Sequence, residues 1–76
     1  MARALQSLGA AMTPYQLAQA RQALGWSVTR LANALRLRDG GPRRVRAMES
    51  GDNPISGPVS VAVEAYLDGW RPRDGS

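Results

Sequence analysis

The chain predicts an all-α fold of four to five short helices. Three observations carry this expectation. Apolar residues recur at three- and four-residue spacing in four segments. Each segment opens on a capping residue or a proline and closes at a glycine-bearing turn or a polar tail. No segment alternates apolar and polar residues as a half-buried strand would.

Residues 1–12 are an alanine-rich extension. Positions 2–8 can form a helical turn or two ending at Gly9, too short to persist alone, and the extension is read as largely disordered. The first strong helix begins at Thr13-Pro14-Tyr15-Gln16. Thr13 is the cap, Pro14 suits the first helical position, and Gln16 completes a capping box. Leu17, Ala20, Arg21 and Leu24 share one face, Gly25 is the stop, and Trp26 is expected to pack back on the core.

The second helix is capped by Ser27 and buries Val28, Leu31, Ala32 and Leu35, with Arg30 and Asn33 outward. Small Ala32 lets a neighbouring helix come close. In the turn 36–41, Leu37 is expected to plug the core, and Gly40 and Gly41 to supply unusual backbone angles. The third helix runs from Pro42 to Ser50, before Gly51. Val45 and Met48 make its buried side. Arg43, Ala47 and Ser50 lie opposite, Arg46 beside them, Arg44 on the flank, and Glu49 borders the buried side. A turn-rich loop follows, and the last helix begins near Gly57-Pro58. Its stripe is Ile55, Val59, Ala62, Val63, Tyr66, Leu67 and Trp70. The domain is therefore expected over 13–70, with a frayed polar tail over 71–76.

A chain of 76 residues is one small domain with a limited core. It has no cysteine, so helical packing or oligomerisation must stabilise it. No apolar run is long enough to span a bilayer, and the first residues lack the apolar core of a signal peptide. A cytoplasmic, nucleoid-associated location is the expectation. The formal net charge is +4, and all ten basic residues are arginine. Arg21, Arg30, Arg36, Arg38, Arg43, Arg44 and Arg46 cluster mid-chain with Asp39 the only acid among them. A solvated charged face would intersperse more acids, so the cluster points to a polyanionic partner.

Three runs together resemble the lambda-repressor and Cro-like (xenobiotic-response-element-like) helix-turn-helix family. They are Ala20-Arg21-Gln22-Ala23-Leu24-Gly25, then Ser27 with Leu31-Ala32, then Val45-Arg46-Ala47-Met48-Glu49-Ser50-Gly51. The run Asn53-Pro54-Ile55-Ser56-Gly57-Pro58 also resembles a subset with a proline-rich loop before the last helix. Size and the arginine-rich third helix resemble small phage or mobile-element regulators, including anti-CRISPR-associated autorepressors. The chain departs from the family pattern at Val28, where a glutamine usually contacts DNA, and at Arg36, where the turn usually has glycine. It also departs in a longer turn and at Met48, where an aromatic is common.

The resemblance implies that Pro42, Arg43 and Ala47 face base edges. Arg43 suits bidentate bonding to guanine, and Ala47 suits a thymine methyl. Arg44 and Arg46 are placed for phosphates, which position a protein without specifying sequence. Arg38 in the turn is a further phosphate candidate, and Asn53 and Ser56 are others beside ordinary capping roles. Arg21 and Glu49 would each be costly to bury alone. The resemblance implies that they form a structural ion pair. Tyr66, Leu67 and Trp70 either complete the core or form a dimer surface.

The function expected is a sequence-specific transcriptional regulator, a homodimeric repressor on a palindromic double-stranded DNA operator. The alternative is an antitoxin-type module that also binds a partner protein. With no histidine, no cysteine and scattered carboxylates, neither catalysis nor a metal, cofactor or small-molecule ligand is expected. Glu64 and Asp68 on the polar side of the last helix argue against a membrane surface. RNA is disfavoured because no aromatics interleave with the arginines.

Overall fold

The computed structural model describes residues 12–73. The described residues form four helices and no strand: α1 (Pro14–Leu24), α2 (Val28–Ala34), α3 (Gly41–Ser50) and α4 (Gly57–Leu67). The possible fifth helix, over 2–8, lies outside the described residues.

Local chemistry starts three of the helices. Thr13 Oγ1 accepts from Gln16 N–H at 3.1 Å while Gln16 Oε1 accepts from Thr13 N–H at 3.0 Å, a complete capping box. Ser27 and Ser56 cap α2 and α4 by accepting from Arg30 N–H at 3.0 Å and Val59 N–H at 3.3 Å. At α3, Gly40 occupies the cap with φ 68° and brings no side-chain bond.

Helix ends follow one pattern. After each helix a residue in the left-handed region turns the chain, and the next amide reaches back over the last turn. Gly25, Gly51 and Gly69 serve α1, α3 and α4. At α2 the same place is held by Arg36 at φ 62°, the one non-glycine with positive φ among the described residues. Its N–H donates to Asn33 O at 3.0 Å and Leu37 N–H donates to Ala32 O at 3.0 Å. The motif is thus complete without the residue that adopts it most easily.

The largest fully buried side chains are Leu17, Leu31, Val45 and Val63, one from each helix. Ala20, Ala32, Met48 and Ile55 complete the core. Each fully buried aliphatic contributes about 1.5–3 kcal/mol relative to exposure. Val28, Leu35, Leu37 and Trp26 are half-buried against this core rather than inside it. Ala34, outside the expected stripe, is buried.

The approach of α3 to α2 depends on small residues. A Cβ added at Gly41 would stand 3.1 Å from Ala32 Cβ and 3.2 Å from Leu37 Cβ. Gly41 is helical and buried, so its role is close contact, and only Gly40 supplies the unusual backbone angle expected of both.

Both domain edges extend past the expected bounds. Met12 packs on the core and its N–H donates to Ser60 Oγ, itself buried, at 2.9 Å. Arg71 is no frayed end: its Nη1 donates to Tyr66 O at 3.1 Å and Trp70 O at 2.6 Å. The guanidinium also lies over the rings of Trp26 and Tyr66, 5.3 and 5.5 Å from their centroids. No helix among the described residues is long and apolar enough to cross a membrane.

Candidate nucleic-acid interface

α3 is two-sided. Val45 and Met48 are buried, while Arg43, Arg44, Arg46 and Ser50 are exposed and Pro42 and Ala47 half-buried. At 3.6 residues per turn, Arg43, Ala47, Ser50 and Arg46 fall within roughly a third of the circumference. The turn before α3 adds Arg38, also exposed. Arg38, Arg43, Arg44 and Arg46 make no ion pair with any described acid. A short helix therefore presents three arginines and a small apolar residue outward, with its inner side locked.

The lock has a polar part. Arg21 Nε donates to Glu49 Oε2 at 2.7 Å and Nη2 to Glu49 Oε1 at 3.2 Å, a two-point contact between α1 and α3. Arg21 Nη1 also donates to Trp26 O at 3.0 Å. The hydrogen bond to Glu49 holds the Arg21 guanidinium above its ordinary pKa, burial opposing and the carboxylate charge adding to the rise. Both side chains are mostly withdrawn from water, 19% and 14% exposed. The arrangement is structural: the pair ties α1 to α3.

The loop after α3 is organised around one carbonyl. Ala47 O accepts from Asp52 N–H at 2.8 Å, Asn53 N–H at 3.2 Å and Ser50 Oγ at 3.1 Å. The Asn53 backbone amide is thereby engaged within the protein, and only its exposed side chain stays available to a phosphate. Ser56 Oγ accepts from Val59 N–H, leaving its hydroxyl proton to donate outward.

The expected dimer residues separate. Tyr66 is 3% exposed and its hydroxyl donates to Ala34 O at 2.8 Å, so it belongs to the interior and cannot anchor a partner. Leu67 is half-buried against the core. Trp70 is 53% exposed and keeps its place at the surface. The reason is that the expected stripe ran on from the core positions to the chain end, while the outer residues Val61 and Ala65 are apolar as well, so spacing did not mark where the core stops. The outer strip consists of Pro58, Val61, Ala62, Ala65 and Trp70, which together line a shallow apolar concavity. Val61 and Ala65 lie off the expected stripe, and that surplus was the signal available in the sequence.

Sequence reasoning also missed an aromatic cluster. Trp26 meets Tyr66 edge-on at 5.2 Å, and Trp70 lies tilted 5.5 Å from Tyr66. Arg30 lies over Trp26, 5.2 Å from its centroid. No group of three or more histidine, cysteine, aspartate or glutamate side chains among the described residues could hold a metal ion.

Comparison with family models, curated proteins and solved structures finds no match to this chain. The class the described residues define is a small all-α domain of four helices.

Proposed function

We propose that the chain is a helix-turn-helix DNA-binding regulator, with α2 and α3 as the motif and α3 as the reading helix. The observation that carries this reading is the outward face of α3. Arg43, Arg44 and Arg46 stand exposed, with no described acid paired to them, on a helix fixed from behind by Val45, Met48 and the Arg21–Glu49 contact. Arginine on a helix held this way suits guanine edges in the major groove and the flanking phosphates. In this reading Pro42, Arg43 and Ala47 meet bases, and Arg38, Arg44, Arg46, Asn53 and Ser56 meet phosphates.

One small domain reads few base pairs, so a homodimer on an inverted repeat is part of the proposal, with reading helices roughly 34 Å apart. The apolar strip of α4, uncharged through Pro58, Val61, Ala62, Ala65 and Trp70, supports a protein contact there. An isologous contact needs a patch that complements itself, and an uncharged strip avoids self-repulsion in a chain of net charge +4. Repression would be steric, by occupancy of an operator overlapping a promoter. The same strip also fits the alternative, an antitoxin-type module whose α4 holds a different protein.

The test is selection of bound duplexes from a random double-stranded library by the purified chain. Enrichment of an inverted repeat supports the homodimeric regulator. Enrichment of nothing above background ends the DNA-reading proposal and leaves the protein-binding alternative.

A further inference from the structure

The end of α2 has one carbonyl that its own backbone does not serve. Its last four helical carbonyls are those of Leu31, Ala32, Asn33 and Ala34. Leu35 N–H donates to Leu31 O at 2.9 Å, Leu37 N–H to Ala32 O at 3.0 Å, and Arg36 N–H to Asn33 O at 3.0 Å. Ala34 O is left over, on a residue only 7% exposed, where an unpaired carbonyl is costly. The donor that reaches it is the Tyr66 hydroxyl, arriving from α4 at 2.8 Å.

We propose that Tyr66 is a positioning residue for DNA reading: its hydroxyl pins the end of α2 and thereby sets the turn that aims α3. The inference rests on the reading of α3 as the DNA-contacting helix. Tyr66 is itself held on several sides. Trp26 meets its ring edge-on, Trp70 lies against it, and the Arg71 guanidinium sits 5.5 Å from its centroid. Arg71 also bonds the Tyr66 carbonyl, so the ring is fixed from the C-terminal side.

Downstream, the turn has little slack. Arg36 follows Ala34 by two positions in a left-handed conformation, and Leu37 N–H closes on Ala32 O. Leu37 Cβ then crowds the place where Gly41, the first residue of α3, would carry a side chain. A shift at Ala34 is therefore passed by packed atoms to the start of α3 rather than absorbed in a loose loop. The exposed Trp70 connects the same ring to the apolar strip of α4, so the hydroxyl stands between the proposed dimer face and the reading helix.

Tyr66→Phe keeps the ring and removes only the donor. Val63→Ala serves as the control, since it weakens the core without touching the Ala34 carbonyl. Both are compared with wild type on a selected duplex, at a temperature where circular dichroism shows all three folded. Tyr66→Phe is expected to bind about tenfold more weakly, the scale of one lost hydrogen bond, while Val63→Ala binds as wild type does. Amide exchange at Arg36 and Leu37 is expected to quicken in Tyr66→Phe while that of Leu17 in α1 is unchanged. Equal weakening in both variants, or affinity of Tyr66→Phe indistinguishable from wild type, overturns the inference. If wild type enriches no duplex, the DNA reading itself falls, and exchange alone decides the positioning: unaltered rates at Arg36 and Leu37 overturn it.

Discussion

Glu49 holds Arg21 through both carboxylate oxygens, at 2.7 and 3.2 Å, and this contact joins the last turn of α1 to the last turn of α3. Removing one partner strands the other in a largely dry place. At 19% and 14% side-chain exposure some solvent screening remains, so Glu49→Ala is expected to lose roughly 1–3 kcal/mol, between exposed and fully buried pairs. Urea denaturation measures it. Arg21→Met with Glu49→Leu should recover much of the loss, because a fitting apolar pair needs no desolvation. A single variant with an unchanged midpoint would show that the pair contributes nothing.

Arg36 offers a stabilising change. A non-glycine residue at φ 62° carries a conformational penalty that glycine does not. Arg36→Gly relieves roughly 0.5–1 kcal/mol of backbone penalty but also gives up an interaction that Arg36 makes, so the net gain is smaller than that figure. The urea midpoint should rise with its slope unchanged. A lower midpoint would mean that the Arg36 side chain contributes more to the fold than its backbone costs.

Base and phosphate contacts separate by their salt dependence. Arg43→Ala is expected to weaken binding to a selected duplex by roughly 1–3 kcal/mol and to relax preference at one base pair per half-site. Arg46→Ala should weaken all sequences alike and flatten the dependence of affinity on salt. Fluorescence anisotropy across a salt series reads both. Wild-type affinity in both variants would remove α3 from the reading role.

The α4 strip predicts the oligomeric state. Val61 is 64% exposed, so Val61→Asp adds a charge to the outer face without disturbing the core. Sedimentation should then show monomers with unchanged helix content where wild type is dimeric. Tyr66→Asp, by contrast, should unfold the chain, because Tyr66 is interior. A wild type that binds a palindromic duplex as one chain per full site would end the dimer proposal.

Much of the fold was legible because its signals are local. Thr13 with Gln16, Ser27, Pro14 and Gly25 or Gly51 act within a few positions, so a residue pattern suffices to place helix ends. The inward pair Val45 and Met48 and the outward arginines of α3 follow from helical spacing alone, since that helix is strongly two-sided. For Arg21 and Glu49 the family resemblance supplied the pairing. The structure supplied the distances and the further bond to Trp26 O.

What only the tertiary structure decided lies where contacts are distant in sequence or where periodicity carries no contrast. The apolar spacing of α4 named the inward residues Ile55, Val63 and Tyr66, but it ran on through the exposed Trp70 and passed over the outer Val61 and Ala65, so it did not mark where the core stops. Tyr66 became interior because the Ala34 carbonyl, 32 positions away, needed its hydroxyl and because Trp26 and Trp70 close around its ring. Gly41 became a contact residue, rather than a turn residue, because α3 comes close to Ala32 there. Met12 and Arg71 joined the domain through bonds to Ser60, Tyr66 and Trp70 that no local pattern encodes. Caps and apolar spacing are set by a residue and its near neighbours. Burial on a uniform helix is set by whichever partners the folded chain brings to it.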